Sequence, residues 1–344
     1  MPRRNTTAPT TSLTNDALAP ISDAGYEPPH LSWSQMQAWL HCPRAYQFRY
    51  ALEAEPEFTP QPLALGVAVH AALAHHYRTA MASSDGPVAG PQPSNGAAPA
   101  PTVPTTLTDS TNATASNPST DATTPTSAPP TAATPSTPSR DSLYELISAS
   151  LSAHEPPIEL DEGQSLDTIA QQALTLALAV IESPAGKPRG RVVAVEEPLS
   201  GPLDESLPPF HAYVDLVTLE PASERWPRGV LTLHDFKTTR SAWGPGQVRE
   251  HAGQLALYKG LVAGGTTGNA TSGPEVRLEF VTVTKAKTPR VEQVPVDDRD
   301  APLDSVLDQA RAIVAGLRAG CFPARPGWGC ASCPYQSRCP HAAV

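Results

Sequence analysis

Apolar positions along this chain follow two spacings. In the first half of the foldable sequence they recur every three or four residues, which is the period of a helix. Ser32 or Ser34 can cap a helix over 35–50, because a Ser side chain satisfies a free amide of the first turn. A second helix is predicted over 65–80, and 142–181 reads as helical with a break near Pro156. Then the period changes. Segments 191–199, 211–219, 230–238 and 275–285 are rich in Val, Leu and Thr and read as strands, with 290–296 as a fifth. A helix over 247–262 falls between two of them, and a last helix over 303–319 is closed by Gly320. The order predicts an α/β (α+β) core, a mixed sheet flanked by helices, with an N-terminal helical segment.

Composition removes part of the 344 residues from that core. Residues 1–27 are rich in Thr, Pro and Ala and are expected to be disordered. Residues 82–139 are Ala, Pro, Thr and Ser with scattered Gly, and contain no aromatic residue, Lys or Arg. Such a stretch buries too little apolar surface to offset the entropy of ordering. It is expected to be a flexible insertion on one loop, leaving a single domain over 28–340. The first residues hold no apolar run of a secretory signal, and no window reaches the roughly 18–20 apolar residues of a membrane helix. The chain is therefore expected to be soluble and cytoplasmic, with no membrane partner.

The formal charge is −10, which alone disfavours nucleic acid. It is unevenly spread: 28–52 holds Arg44 and Arg49 but no acid, and no acid follows Asp308. No Gly-x-x-x-x-Gly-Lys-Ser/Thr motif occurs, so ATP-driven unwinding would need a separate chain.

Two predicted strands each carry a carboxylate in apolar surroundings, Ala212-Tyr213-Val214-Asp215-Leu216 and Leu233-His234-Asp235-Phe236-Lys237. Burying an ionised carboxylate costs several kcal/mol unless it is paired or metal-bound. Strands adjacent in sequence usually pair, so both acids can converge on one cation, and oxygen ligands on rigid strands suit Mg²⁺ or Mn²⁺. The period of two puts Asp235 and Lys237 on the same face, where the lysine can touch what the metal holds. Taken alone, an Asp-x-Lys tripeptide is more often a surface ion pair. Glu196 is a further acid on a predicted strand and is assigned no role.

Five cysteines is an odd number for a reducing compartment, where disulfides are unusual. Metal binding, a reactive thiol or simple burial remain open. Cys330, Cys333 and Cys339 lie close together in a Gly- and Pro-rich end that cannot be a hydrophobic core.

Several short motifs, in order, resemble the PD-(D/E)XK nuclease superfamily, in its RecB-like and AddB-like branch. They are Leu31-Ser32-Trp33-Ser34 through Cys42-Pro43-Arg44-Ala45-Tyr46, then Gly66-Val67-Ala68-Val69-His70, Asp215, Asp235-Phe236-Lys237, and Gln254-Leu255-Ala256-Leu257-Tyr258. Ala212 stands where the family often has Gly. The resemblance implies a restriction-endonuclease-like core and a Mg²⁺- or Mn²⁺-dependent deoxyribonuclease. Exonuclease action is expected, on single strands or duplex ends, in DNA repair or recombination, with a helicase as a separate partner. It implies that Asp215, Asp235 and the Phe236 carbonyl hold the metal, with His70 as a further ligand. Lys237 would orient or activate water, and Gln254 and Tyr258 would contact the site or the DNA backbone. It also implies a 4Fe-4S cluster on Cys42, Cys330, Cys333 and Cys339, since the relatives share this one-plus-three arrangement and thiolate-only ligation suits such a cluster. Cys321 fits no spacing and is expected to be a small buried residue. The competing readings are a catalytically dead DNA-binding scaffold and a zinc-stabilised interaction protein.

Overall fold

In the computed structural model, which describes residues 25–84, 138–265 and 273–342, the predicted first helix is two helices with a corner between them. Helix α1 (Trp33–His41) starts at Ser32, whose hydroxyl accepts from the Gln35 amide at 3.2 Å. It stops at Cys42, which is extended (φ −156°, ψ 106°). The cause is Pro43, whose ring drives the preceding residue out of the helical region and then opens helix α2 (Pro43–Tyr46). A π-type turn over Gln47–Ala51 follows. Strand β1 (Thr59–Pro60) leads into α3 (Gln61–Ser84), a 24-residue helix longer at both ends than its periodicity predicts. Next come α4 (Arg140–Ser152), β2 (Ile158–Glu159), which pairs with β1, and α5 (Leu166–Glu182).

Two predicted disorder boundaries move. Residues 82–84 complete α3 and Ser139 caps α4, so 82–139 overstates the insertion, of which 85–137 lies outside the described residues. Likewise 25–27 belongs to the fold, while the rest of the predicted tail lies outside the described residues. The Tyr26 amide donates to the Leu317 carbonyl, and Glu27 pairs with Arg318. Composition could not register these contacts, because their partners lie some 290 positions away.

The strand-rich half folds as read. Strands β3 (Arg191–Gly201), β4 (Phe210–Glu220) and β5 (Val230–Thr239) form an antiparallel meander. Helix α6 (Pro245–Gly265) then crosses over, so β6 (Glu275–Thr284) lies parallel to β5. Strand β7 (Val291–Val296) turns back antiparallel, and α7 (Leu303–Arg318) ends near Gly320, at φ +66°. The five-stranded mixed sheet has the order β3-β4-β5-β6-β7.

Both faces of the sheet are covered, which explains its nearly continuous apolar strands. On one face Leu216, Phe236, Val281 and Val283 pack against α3, α4 and α5. On the other, Val214, Leu233 and Phe280 meet Leu255 and Tyr258 of α6. A third cluster joins Leu31, Met36 and Tyr46 to α6 and to Val306, Ala310, Ile313 and Leu317 along one stripe of α7. Each large side chain buried in this way stabilises the fold by roughly 1.5–3 kcal/mol.

Candidate active site

The strand bearing the candidate residues Asp235 and Lys237 takes its layout from the alternation of β5. Phe236 and Asp235 point to opposite faces, so a core aromatic on one side fixes a carboxylate on the other. Phe236 stacks on Tyr77 of α3, with ring centroids 5.6 Å apart. Asp215 enters from β4 beside it. Its Oδ2 accepts from the Phe236 amide at 2.7 Å, and its Oδ1 lies 3.2 Å from His70 Nδ1. The other ring nitrogen of His70, Nε2, donates to the Phe236 carbonyl at 2.9 Å. Helix α3 thereby lays His70 across the carboxylate and the carbonyl together.

Burial works against a charged imidazole at His70, but Asp215 beside it and Asp235 beyond it lift its pKa to about 9. Burial pushes Asp235 up to about 6, although the Lys237 ammonium opposes the rise. Asp235 is 2% exposed, and Lys237 Nζ stands 2.6 Å from its Oδ2 as a close ion pair. A buried carboxylate needs such compensation from a cation, whether an ammonium or a metal ion.

Gln254 holds the other side of the site. It accepts from Lys237 Nζ at 2.9 Å and donates to Asp235 Oδ1 at 2.7 Å. The Tyr258 hydroxyl, four residues on, lies 2.6 Å from Gln254 Nε2. Burial, with Asp235 next, holds the Tyr258 hydroxyl well above its ordinary pKa, so it stays neutral. The six predicted site side chains therefore lie in two bonded groups on either side of the Phe236 backbone, His70 with Asp215 and Asp235 with Lys237, Gln254 and Tyr258. Gln254 and Tyr258 fix Asp235 and Lys237.

Glu196 joins them, and the sequence reading gave it no role. Its ladder partners on either side are regular, with Val195 opposite Leu216 and Glu197 opposite Val214, but Glu196 itself has φ +54°. That break turns its carboxylate towards the site. Among the described residues, His70, Glu196 and Asp215 form the one group placing three ligand atoms all within 4.8 Å of one another. Burial, followed by the Asp215 charge, raises the Glu196 pKa. His70, Glu196 and Lys237 open onto a cleft of about 670 Å³ that Ser34 and the face of α3 also line.

A second group forms at the chain ends. Cys42, at the α1–α2 corner, lines one small pocket with Cys330, Cys333 and Cys339, beside Arg44, Arg325, Phe48 and Tyr335. Burial raises the Cys333 thiol pKa, and the neighbouring cysteines add to the rise. Cys321 stays outside this group, as its spacing predicts, but it is exposed rather than buried. The turn at Gly320 leaves it on the surface.

Compared with known proteins, residues 30–340 match the family model described as the PD-(D/E)XK nuclease superfamily. No curated protein matches the sequence. Among solved structures, a Eubacterium rectale protein provisionally described as an exonuclease is similar at a TM-score of 0.37 and 15% identity. That similarity covers 59% of this chain and 71% of the other. In addition, among the described residues, no helix is long and apolar enough to cross a membrane.

Proposed function

The chain belongs to the PD-(D/E)XK nuclease superfamily, and from that premise we propose that it is a divalent-metal-dependent deoxyribonuclease of the RecB-like and AddB-like branch. The observation that carries this reading is the convergence of the His70, Glu196 and Asp215 ligand atoms beside a cleft that His70, Glu196 and Lys237 line. The buried Asp235 carboxylate, with the Lys237 ammonium 2.6 Å from its Oδ2, supports this reading over a nuclease-fold scaffold without activity.

Asp215, Asp235, Glu196, His70 and the Phe236 carbonyl are the groups that would hold Mg²⁺ or Mn²⁺, and the oxygen-rich set matches those hard ions. The bound ion supplies an activated water and neutralises charge on the phosphate. Lys237, fixed by Gln254, stands where its ammonium can orient that water or meet a phosphate oxygen as charge develops. Tyr258 keeps Gln254 aimed at Asp235 and Lys237. The test is DNA labelled at either end and incubated with Mg²⁺ or Mn²⁺. Labelled products from one end with metal, and none with EDTA, support a metal-dependent exonuclease. Internal products would make it an endonuclease. No cleavage in any metal would refute the reading.

For the cysteines, the reading is a 4Fe-4S cluster on Cys42, Cys330, Cys333 and Cys339. Four cysteines lining one pocket offer thiolate-only ligation, which suits such a cluster, and a single tetrahedral zinc is the alternative. Iron and zinc content of anaerobically purified protein decides between the two. Four irons per chain support the cluster, and one zinc with no iron would replace it.

A further inference from the structure

One wall of the cleft is unlike the rest of its helix. On α3, Leu63 and Val67 are 50% and 44% exposed, yet both line the cleft that holds His70, Glu196 and Lys237. They are four residues apart, and His70 follows Val67 by three, so the three share one helix face. Gly66 lies between them. A Cβ added there would meet one atom within 4 Å, Thr238 Oγ1 at 3.9 Å. Packing therefore does not demand glycine at Gly66, and glycine weakens a helix interior. What its missing side chain does provide is open space in the cleft wall next to His70.

The cleft, at about 670 Å³, is larger than a water and one phosphate require. Its composition is graded along α3. Leu63 and Val67 are apolar, His70 is a candidate metal ligand, and Arg78 adds a cation two turns further on. A phosphodiester chain with an unstacked base has this same division of apolar and anionic parts. In a duplex the bases are stacked inwards and phosphates face out, whereas a single strand can turn a base onto an apolar surface. A protein partner seated on two side chains would be far below the area a stable interface needs.

Resting on the nuclease reading above, we propose that Leu63 and Val67 receive a nucleobase of single-stranded DNA next to the scissile phosphate, and thereby set a preference for single strands. They are positioning residues that hold the strand while His70, Asp215 and Asp235 serve the reacting phosphate.

The test uses the full chain and single-stranded oligonucleotides in which one abasic residue is stepped along the sequence. Binding is measured in Ca²⁺ and cleavage in Mn²⁺. Wild type should lose about tenfold in both when the abasic residue falls at one or two positions beside the cut, the loss expected for one apolar contact. The Leu63→Ser/Val67→Ser double variant should show that loss on intact DNA and no further loss on abasic DNA, with an unchanged melting temperature. Gly66→Leu, which fills the cleft without removing a contact, should weaken single-strand binding as well. Wild type indifferent to the abasic residue at every position would overturn the proposal. So would a double variant as sensitive as wild type, or a chain that cuts fully paired duplex as fast as single strand. A chain that cleaves nothing refutes the nuclease reading instead, and the binding series in Ca²⁺ still judges the wall.

Discussion

At Glu196 the backbone sits at φ +54°, a conformation that costs a non-glycine residue roughly 1 kcal/mol. The neighbouring ladder pairs are regular, so the strain is confined to the residue whose carboxylate meets His70 and Asp215. Strain of this kind persists where the surrounding structure fixes it, and it concentrates at functional sites. Glu196→Gly separates the two roles. The variant should melt at or above the wild-type temperature, since glycine relieves the strain, while Mg²⁺-dependent cleavage falls on the order of 10- to 100-fold. A thermal melt and a cleavage rate on the same preparation check it. A large loss of stability would show that Glu196 is structural. The acid was hidden in the sequence because Glu196 and Glu197 stand side by side and nothing in Val-Glu-Glu-Pro tells which one leaves the ladder. Asp215, Asp235 and Lys237 were legible because each sits at a fixed place in an apolar run. The exposed face of Leu63 and Val67 was not legible, since a helical period shows which positions share a face but not what that face meets.

Among the elements, β5 and β6 show both how far a pattern can be read and where it stops. Their apolar runs predict buried strands, and the α6 crossover makes them parallel. The pattern does not show that His234 and Glu279, opposite each other in register, form a buried pair behind the site, nor that Arg189 reaches Glu279 at 2.7 Å. Such networks join residues far apart in sequence and leave no local trace. The α1–α2 corner was missed for another reason. Apolar residues continue past Cys42 at helical spacing, and one proline overrides them. Burial alone would raise the Glu279 carboxyl, but His234 and Arg189 reverse this and hold it below its ordinary value of 4.5. A depressed folded pKa means the ionised group stabilises the fold above the unfolded value, and that stability is lost as pH falls through the folded value. Glu279→Gln should therefore cost roughly 2 kcal/mol at pH 7. The deficit relative to wild type should shrink below pH 4.5. Urea unfolding of both proteins at pH 7 and pH 4 measures this, and an equal deficit at both would contradict it.

On the scale of the whole molecule, the first and last parts of the described fold meet. Cys42 faces the C-terminal cysteines, Phe48 stacks on Tyr335, and Glu57 accepts from the Ser337 amide and hydroxyl. These contacts mean the proposed cluster would be one tie among several. Cys42→Ala should lose the iron and lower the melting temperature by roughly 5–10 °C, the effect of a cross-link worth a few kcal/mol. Cleavage should weaken too, because Ser34 on the adjoining α1 lines the catalytic cleft. Cys321→Ser should keep iron, stability and activity, and metal analysis of both variants checks the assignment. The sheet and its flanking helices bring together the residues of the central proposal, that Asp235 and Lys237 carry out metal-dependent hydrolysis of DNA. Its most direct measurement is the Mn²⁺-dependent cleavage rate of end-labelled single-stranded DNA by wild type, Asp235→Ala and Lys237→Ala, each verified as folded by circular dichroism. The predicted result is cleavage by wild type that EDTA stops, and a loss on the order of 10³-fold in each variant. Equal cleavage by all three proteins would contradict the claim.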